Sequence, residues 1–322
     1  MPRVTIARTT SAVVATAAAL ALTACSAGGS AALEEGSIAD DFDLSGASLT
    51  VGSDSYTEQL VLGQVALLAL QAAGADVDDQ TGLTGTATVR AALESEDIDL
   101  YWEYTGTAWI SFLGETTPIP DQTEQYNAVV EADLANGITW FGPTPFNNTY
   151  QLAYSAENNP DLDVATISDV AELVGGGDTD VTICVGPEFD LRDDGLPGME
   201  AAYGFSFPDE NVTVLDDGVI YNEVAEGSSC TFGVVFSTDG RIQALDLSTL
   251  EDDQAFFPSY NAAVITRTAI AEEYPDLEEL FSDIASKLTD EEMQTLNARV
   301  DVDGESPEDA AEEWLSEQGY IG

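Results

Sequence analysis

Histidine is absent from the 322-residue sequence, so imidazole acid–base catalysis and histidine-ligated metal sites are excluded at the outset. Cations are nearly as scarce, with eight lysines and arginines against 60 aspartates and glutamates. Each arginine is therefore informative. Arg192 stands out because it lies in the Gly/Pro-bounded run Gly186 to Gly195, directly after a strand-like segment. Loops in that position line ligand clefts in α/β proteins, and a guanidinium there can hold a carboxylate through two parallel hydrogen bonds. The competing reading pairs Arg192 with its neighbours Asp193 or Asp194. Four aromatic residues, Tyr104, Tyr150, Phe236 and Tyr260, also fall at strand ends or in Pro/Gly-rich turns rather than at helical core spacing. A trimethylammonium group has no hydrogen to donate and is held instead by aromatic faces, at ~0.5–2 kcal/mol per ring once desolvated. Taken singly, each ring reads first as core.

Two other constellations carry less. Asp301-Val-Asp303-Gly304 has the look of a calcium loop, but the full twelve-residue pattern is not met, so a solvated turn is expected. The acid pairs Asp216-Asp217 and Asp252-Asp253 could serve glycoside hydrolysis, yet 60 acids produce such pairs by chance. No catalytic residue, metal ligand or cofactor site is assigned.

The elements that must position these residues alternate between strand and helix. Ser48-Leu-Thr-Val-Gly52 reads as a strand, and Ser55 with Glu58 three residues later fits a capping box. The helix that follows carries Leu60, Val61, Leu67, Leu68 and Leu70 on its apolar face and meets a stop at Gly74. A short helix over 87–94 and a strand over 98–102 come next. Beyond Pro143 and Pro145, strands are expected over 151–154, 181–185, 212–215 and 231–236, with helices over 168–174 and 220–226. A strand over 262–266 precedes three largely amphipathic helices, the last capped by Ser306 with Pro307 at its first position. The double alternation predicts two α/β lobes.

At the N-terminus, Arg3 and Arg8 precede an apolar run ending in Leu22-Thr23-Ala24-Cys25, which reads as a lipoprotein signal with Cys25 as the acylated residue. The run is too short to span a bilayer comfortably. Residues 1–24 are read as signal peptide and 25–47 as acylated cysteine and flexible tether, placing the protein on the outer face of the cell membrane. All 60 acidic residues and only six basic ones lie beyond Cys25, which excludes a nucleic-acid partner. With 44% hydrophobic residues in patterned segments, the chain is a folded protein whose acidic surface is suited to concentrated salt rather than a disordered acidic chain. Cys184 and Cys230 are the other cysteines, and in an exported protein they form either a disulfide or two buried thiols.

The order of motifs resembles the glycine betaine, carnitine, choline and proline betaine binding proteins of osmoprotectant ABC importers. The resemblance runs from Leu49 to Gly322 through Val51-Gly-Ser-Asp-Ser-Tyr-Thr-Glu-Gln59, Asp99-Leu-Tyr-Trp-Glu-Tyr-Thr-Gly-Thr107, Phe146-Asn-Asn-Thr-Tyr-Gln-Leu152, Glu188 to Gly195, Phe236-Ser-Thr-Asp-Gly-Arg-Ile242 and Leu250-Glu-Asp-Asp-Gln-Ala-Phe-Phe-Pro-Ser-Tyr260. It implies the type 2 periplasmic-binding-protein fold, two α/β lobes joined by a two-segment hinge, with lobe 1 over 48–146 plus 261–322 and lobe 2 over 147–260. It further implies that Tyr104, Tyr150, Phe236 and Tyr260 cage a quaternary ammonium, with Thr107 and Arg192 holding a ligand carboxylate. Asn148 stands at a cage position that is often Asp, Phe236 where Tyr is common, and Asp54 where many relatives place a lysine that binds the carboxylate. Either Arg192 suffices for a carboxylate or the ligand is a cation such as choline. The implied partners are an ABC permease with its separate ATPase, and the protein is expected to act as a monomer without catalysing a reaction. The alternative is a protein of the same fold that binds an amino acid or another small polar solute.

Overall fold

Ile38 is fully buried, and this one side chain marks where the polypeptide joins its folded body. It lies in a short helix, α1 (Ser37–Asp41), whose first amides donate to the Gly319 and Tyr320 carbonyls at 3.1 and 3.2 Å. Leu44 and Ala47 are buried as well, so residues 36–47 are not the flexible tether expected from their Ser, Gly and acidic content. Three buried apolar side chains are enough to fasten such a segment. The computed structural model describes Leu33 and residues 36–115, 117, 119, 121–177 and 180–322. The signal peptide and Cys25 lie outside the described residues.

Two five-stranded sheets follow one plan. In the first, β1 (Ser48–Asp54) pairs in parallel with β2 (Asp76–Leu83) and β3 (Leu100–Tyr104). β10 (Ala262–Arg267) then runs antiparallel between β3 and β4 (Ile138–Trp140). In the second, β6 (Ile183–Val185) pairs in parallel with β7 (Val212–Val214) and β8 (Phe232–Phe236), and β5 (Tyr150–Tyr154) runs antiparallel between β8 and β9 (Ser248–Thr249). The two antiparallel strands, β5 and β10, each open a lobe's stretch of chain just after a crossing. The crossings lie side by side: the Thr144 amide donates to Ala262 O at 2.7 Å, the Asn148 amide to Tyr260 O at 3.2 Å, and the Asn261 side chain to Phe146 O at 2.8 Å. They form the two-segment hinge.

Packing explains why α2 (Thr57–Ala72) is apolar well beyond one stripe. Val61, Leu62, Val65, Ala66, Ala69 and Leu70 are fully buried, because this helix is enclosed between the first sheet and the C-terminal helices. Those helices are α9 (Thr268–Glu273), α10 (Asp276–Lys287), α11 (Asp290–Asp301) and α12 (Pro307–Glu317), four where the sequence suggested three. The Ser306 hydroxyl caps α12 by accepting from the Asp309 amide at 3.0 Å. α3 (Thr86–Glu94) flanks the first sheet, and α7 (Asp217–Glu226) covers the second. Beneath α7, buried Cys184 of β6 is disulfide-bonded to buried Cys230, with 5.6 Å between their Cα atoms. Among the described residues no helix is long and apolar enough to cross a membrane.

Candidate ligand-binding site

The parallel strands of both sheets point their carboxyl ends at the same cleft, and the loops leaving them enclose a cavity of about 370 Å³. That lies at the small end of the ~300–1,000 Å³ spanned by small-molecule sites. Tyr150, at the start of β5, is its aromatic centre. Its ring lies 5.3 Å from Phe236 and 5.3 Å from Tyr260, and Tyr260 meets it edge-on at 81°. Phe189 and Phe257 back it at 4.8 and 5.7 Å. Tyr56 stacks on Phe236 at 5.8 Å with only 14° between planes. Tyr104 lines the same cavity from the end of β3. Gly106 is what admits Tyr260, since a Cβ at that position would meet the Tyr260 ring at 2.6 Å.

Arg192 also enters the cavity, and it is already occupied. Its Nε and NH2 donate to the two carboxylate oxygens of Asp194 at 2.8 and 2.6 Å, while Tyr260 donates its hydroxyl to the same Asp194 at 2.7 Å. NH2 also reaches Thr107 Oγ1 at 3.4 Å, and NH1 lies 3.6 Å from Glu188. Arg192 thus lies at the cavity, as its loop position suggested, and is paired with Asp194, as the competing reading had it. Arg241 is held likewise by Asp239 and by Asp301, 3.2 Å away. Asp301 is thus no solvated turn; it also accepts from the Thr57 hydroxyl at 2.7 Å.

Much of the remaining polar lining is acidic. Asp54 is 8% exposed and accepts from the Ser55 and Gly85 amides at 2.6 and 3.2 Å. Burial raises its pKa, and the nearby Glu188 charge raises it further. Asp217 is pushed up to about 6 by burial first, then by Asp216, Glu188 and Asp54. Glu188 joins the lobes by accepting from the Thr86 amide at 2.9 Å and the Thr86 hydroxyl at 2.8 Å. At the cavity floor, burial carries Glu103 up to about 7, although Tyr101 and the Tyr104 amide donate to it.

Glu58 corrects the capping-box expectation. The N-cap of α2 is Tyr56, with no side-chain cap, because the Glu58 carboxylate is turned into the interior. It accepts from Tyr104 Oη at 2.7 Å, Asn148 Nδ2 at 2.7 Å, Thr238 Oγ1 at 2.5 Å and Asn297 Nδ2 at 2.9 Å. One carboxylate thereby ties a cavity tyrosine, a hinge residue, the loop after β8 and helix α11 together. Asn148 has its amide nitrogen committed to Glu58, and its buried Oδ1 has no hydrogen-bond partner among the described residues. All eight residues singled out from sequence line this cavity. Tyr56 and Phe189 line it too without having been singled out, as do Glu58 and Asp217, which the sequence suggested in other roles.

Residues 47–317 match the substrate-binding domain of ABC-type glycine betaine transport systems. The chain belongs to that family. Its two lobes have the type 2 periplasmic-binding-protein architecture. Among curated proteins it is 36% identical over 280 residues to the glycine-betaine-binding protein of Pseudomonas aeruginosa, spanning 85% of this chain and 89% of that one. It is 33% identical over 274 residues to the ergothioneine transport permease/ergothioneine binding protein EgtU of Helicobacter pylori, spanning 84% of this chain and 48% of that protein. A crystal structure of a glycine betaine/carnitine/choline ABC transporter component superposes with a TM-score of 0.69 at 26% identity, covering 85% of this chain and 98% of that one.

Proposed function

We propose that the protein captures a quaternary-ammonium compound of the glycine betaine, choline or carnitine kind between its lobes and delivers it to the permease of an ABC importer. The observation that carries this reading is the placing of the Phe236 and Tyr260 rings each 5.3 Å from the Tyr150 ring, at a cleft both lobes line. Methyl groups on a cationic nitrogen need apolar contact and negative π faces together, and a wall of rings supplies both. Tyr104 and Tyr56 extend that wall from lobe 1, and Thr107, Asn148, Arg192 and Asp54 supply its polar atoms. The lobes are taken as 48–146 with 261–322 and 147–260, turning on the paired crossings. A ligand that touches both lobes stabilises the closed form, and the closed form is what the permease would receive. No chemistry is required of the site. Lipid attachment through Cys25 would keep the monomer at the outer membrane face, and the surplus of acids suits a saline exterior.

Titration calorimetry with choline, glycine betaine, carnitine and ergothioneine, a trimethylated betaine also, tests the proposal. At least one should bind in the micromolar range or tighter with near-unit stoichiometry, and failure of all four refutes it.

A further inference from the structure

Eight acidic side chains line the cavity against two arginines, and neither arginine is free. Arg192 is gripped by Asp194 in a two-pronged pair and also faces Glu188; Arg241 faces Asp239 and Asp301. A carboxylate on the ligand would have to displace Asp194, which is 2% exposed and further fixed by the Tyr260 hydroxyl, or meet Arg192 through NH1 alone, where Glu188 already stands 3.6 Å away. Removing the partner of a buried charge costs far more than it returns. Meanwhile Asp54, Glu188 and Asp217 bring negative charge from both lobes to the same space, with amide and hydroxyl donors but no cation of their own beyond the shared arginines. We infer that this site prefers a quaternary ammonium carrying net positive charge and a neutral tail, such as the alcohol choline, over zwitterions that carry a carboxylate, and that Asp54 is a determinant of the preference. This rests on reading the cavity as a quaternary-ammonium site.

Asp54 is the informative residue because it is nearly buried, is contributed by lobe 1, and has no basic partner among the described residues, so its charge acts on whatever fills the cavity. At the effective dielectric of about 20 that suits partly buried sites, one uncompensated carboxylate a few ångströms from a cation changes affinity by about tenfold or more. A zwitterion gains less, since its own carboxylate meets the same field with opposite sign.

Calorimetry at fixed ionic strength would compare choline with glycine betaine on the intact protein and on Asp54→Asn. The wild type should bind choline at least about tenfold tighter, and Asp54→Asn should close that gap by about tenfold, chiefly by weakening choline. Asp217→Asn, on a different element, should narrow it in the same direction and serves if the first variant does not fold. Glycine betaine binding as tightly as choline, or a gap unchanged by the folded variants, overturns the inference while leaving the quaternary-ammonium reading intact. Absence of binding by either ligand, carnitine or ergothioneine would instead remove that reading and this inference with it.

Discussion

Replacing Glu58 by Gln swaps one oxygen for an amide nitrogen and should nonetheless be costly. The carboxylate receives four donors, two on each oxygen: Tyr104 and Asn148 on Oε1, Thr238 and Asn297 on Oε2. Glutamine keeps one acceptor oxygen. Its nitrogen can be met by the Thr238 hydroxyl, which can turn round to accept, but not by Asn297 Nδ2, which also donates to Thr238 O at 2.9 Å. Charge-assisted hydrogen bonds are worth ~1.5–3 kcal/mol against ~0.5–1.5 for neutral ones, and a buried donor left without an acceptor costs ~1–3 kcal/mol. The burial that raises the Glu58 pKa offsets part of this, because the neutral amide escapes it. The net expectation is a loss of about 2–3 kcal/mol. Urea denaturation at pH 8 should show it as a lower midpoint with an unchanged slope. The variant should also bind choline more weakly, since Tyr104 and the loop after β8 lose their common anchor. A stability change below about 0.5 kcal/mol would refute the account of Glu58 as the centre of this network.

Tyr150→Ala removes the ring at the middle of the aromatic wall and should weaken quaternary-ammonium binding tenfold or more, at ~2 kcal/mol for a desolvated ring plus lost packing; unchanged calorimetric affinity would make these rings core alone. Asp217 and Glu103, raised to about 6 and about 7, hold protons in the folded state that the unfolded chain releases above its ordinary carboxylate values. Their contribution is complete below those values and is lost as pH climbs through 6 to 7, so denaturation midpoints at constant salt should fall from pH 5 to pH 8; a rise would contradict the sign. With 60 acids to eight bases, the melting temperature should climb with added KCl, and a flat response would mean that surface repulsion does not limit stability.

The lobes were legible because short apolar strands alternate with helices, and nine of the ten strands run three residues or longer. β2 escaped because Asp-Val-Asp-Asp-Gln-Thr-Gly-Leu has strand geometry imposed on it by β1, residue for residue from Ser48↔Asp76, at a solvent-facing edge that tolerates acids. A second helix, α4 (Gln122–Leu134), escaped since few of its side chains are buried and no apolar stripe marks it. In the site, aromatic residues at strand ends announced themselves by position, but Tyr56 did not, because one residue before a helix it reads as a simple entry residue. Glu58 was misread for a related reason. Its spacing from Ser55 satisfies the capping-box rule, and only the tertiary fold brings Thr238 and Asn297, 180 and 239 residues away, to outcompete the local backbone. No sequence rule foretells that Arg192 spends its fork on Asp194, since Asp193 stands one residue nearer in the chain.

That pairing alters how the arginine is understood. A free guanidinium in the cavity would act as a receptor for anions; one locked to a buried aspartate acts as a brace, fixing Asp194, which in turn fixes the Tyr260 hydroxyl and so the angle of a wall ring. The negative charge left over then belongs to Asp54 on one lobe and to Glu188 and Asp217 on the other. Those carboxylates stand close together and largely out of water, so burial and mutual repulsion both lift the Asp217 pKa. A cation seated among the rings lowers that cost from either side at once, whereas a neutral solute of the same size would leave it in place. Such a site would sort ligands by the sign of their charge as well as by their shape, and bulk salt screens exposed acids more than the buried ones gathered here.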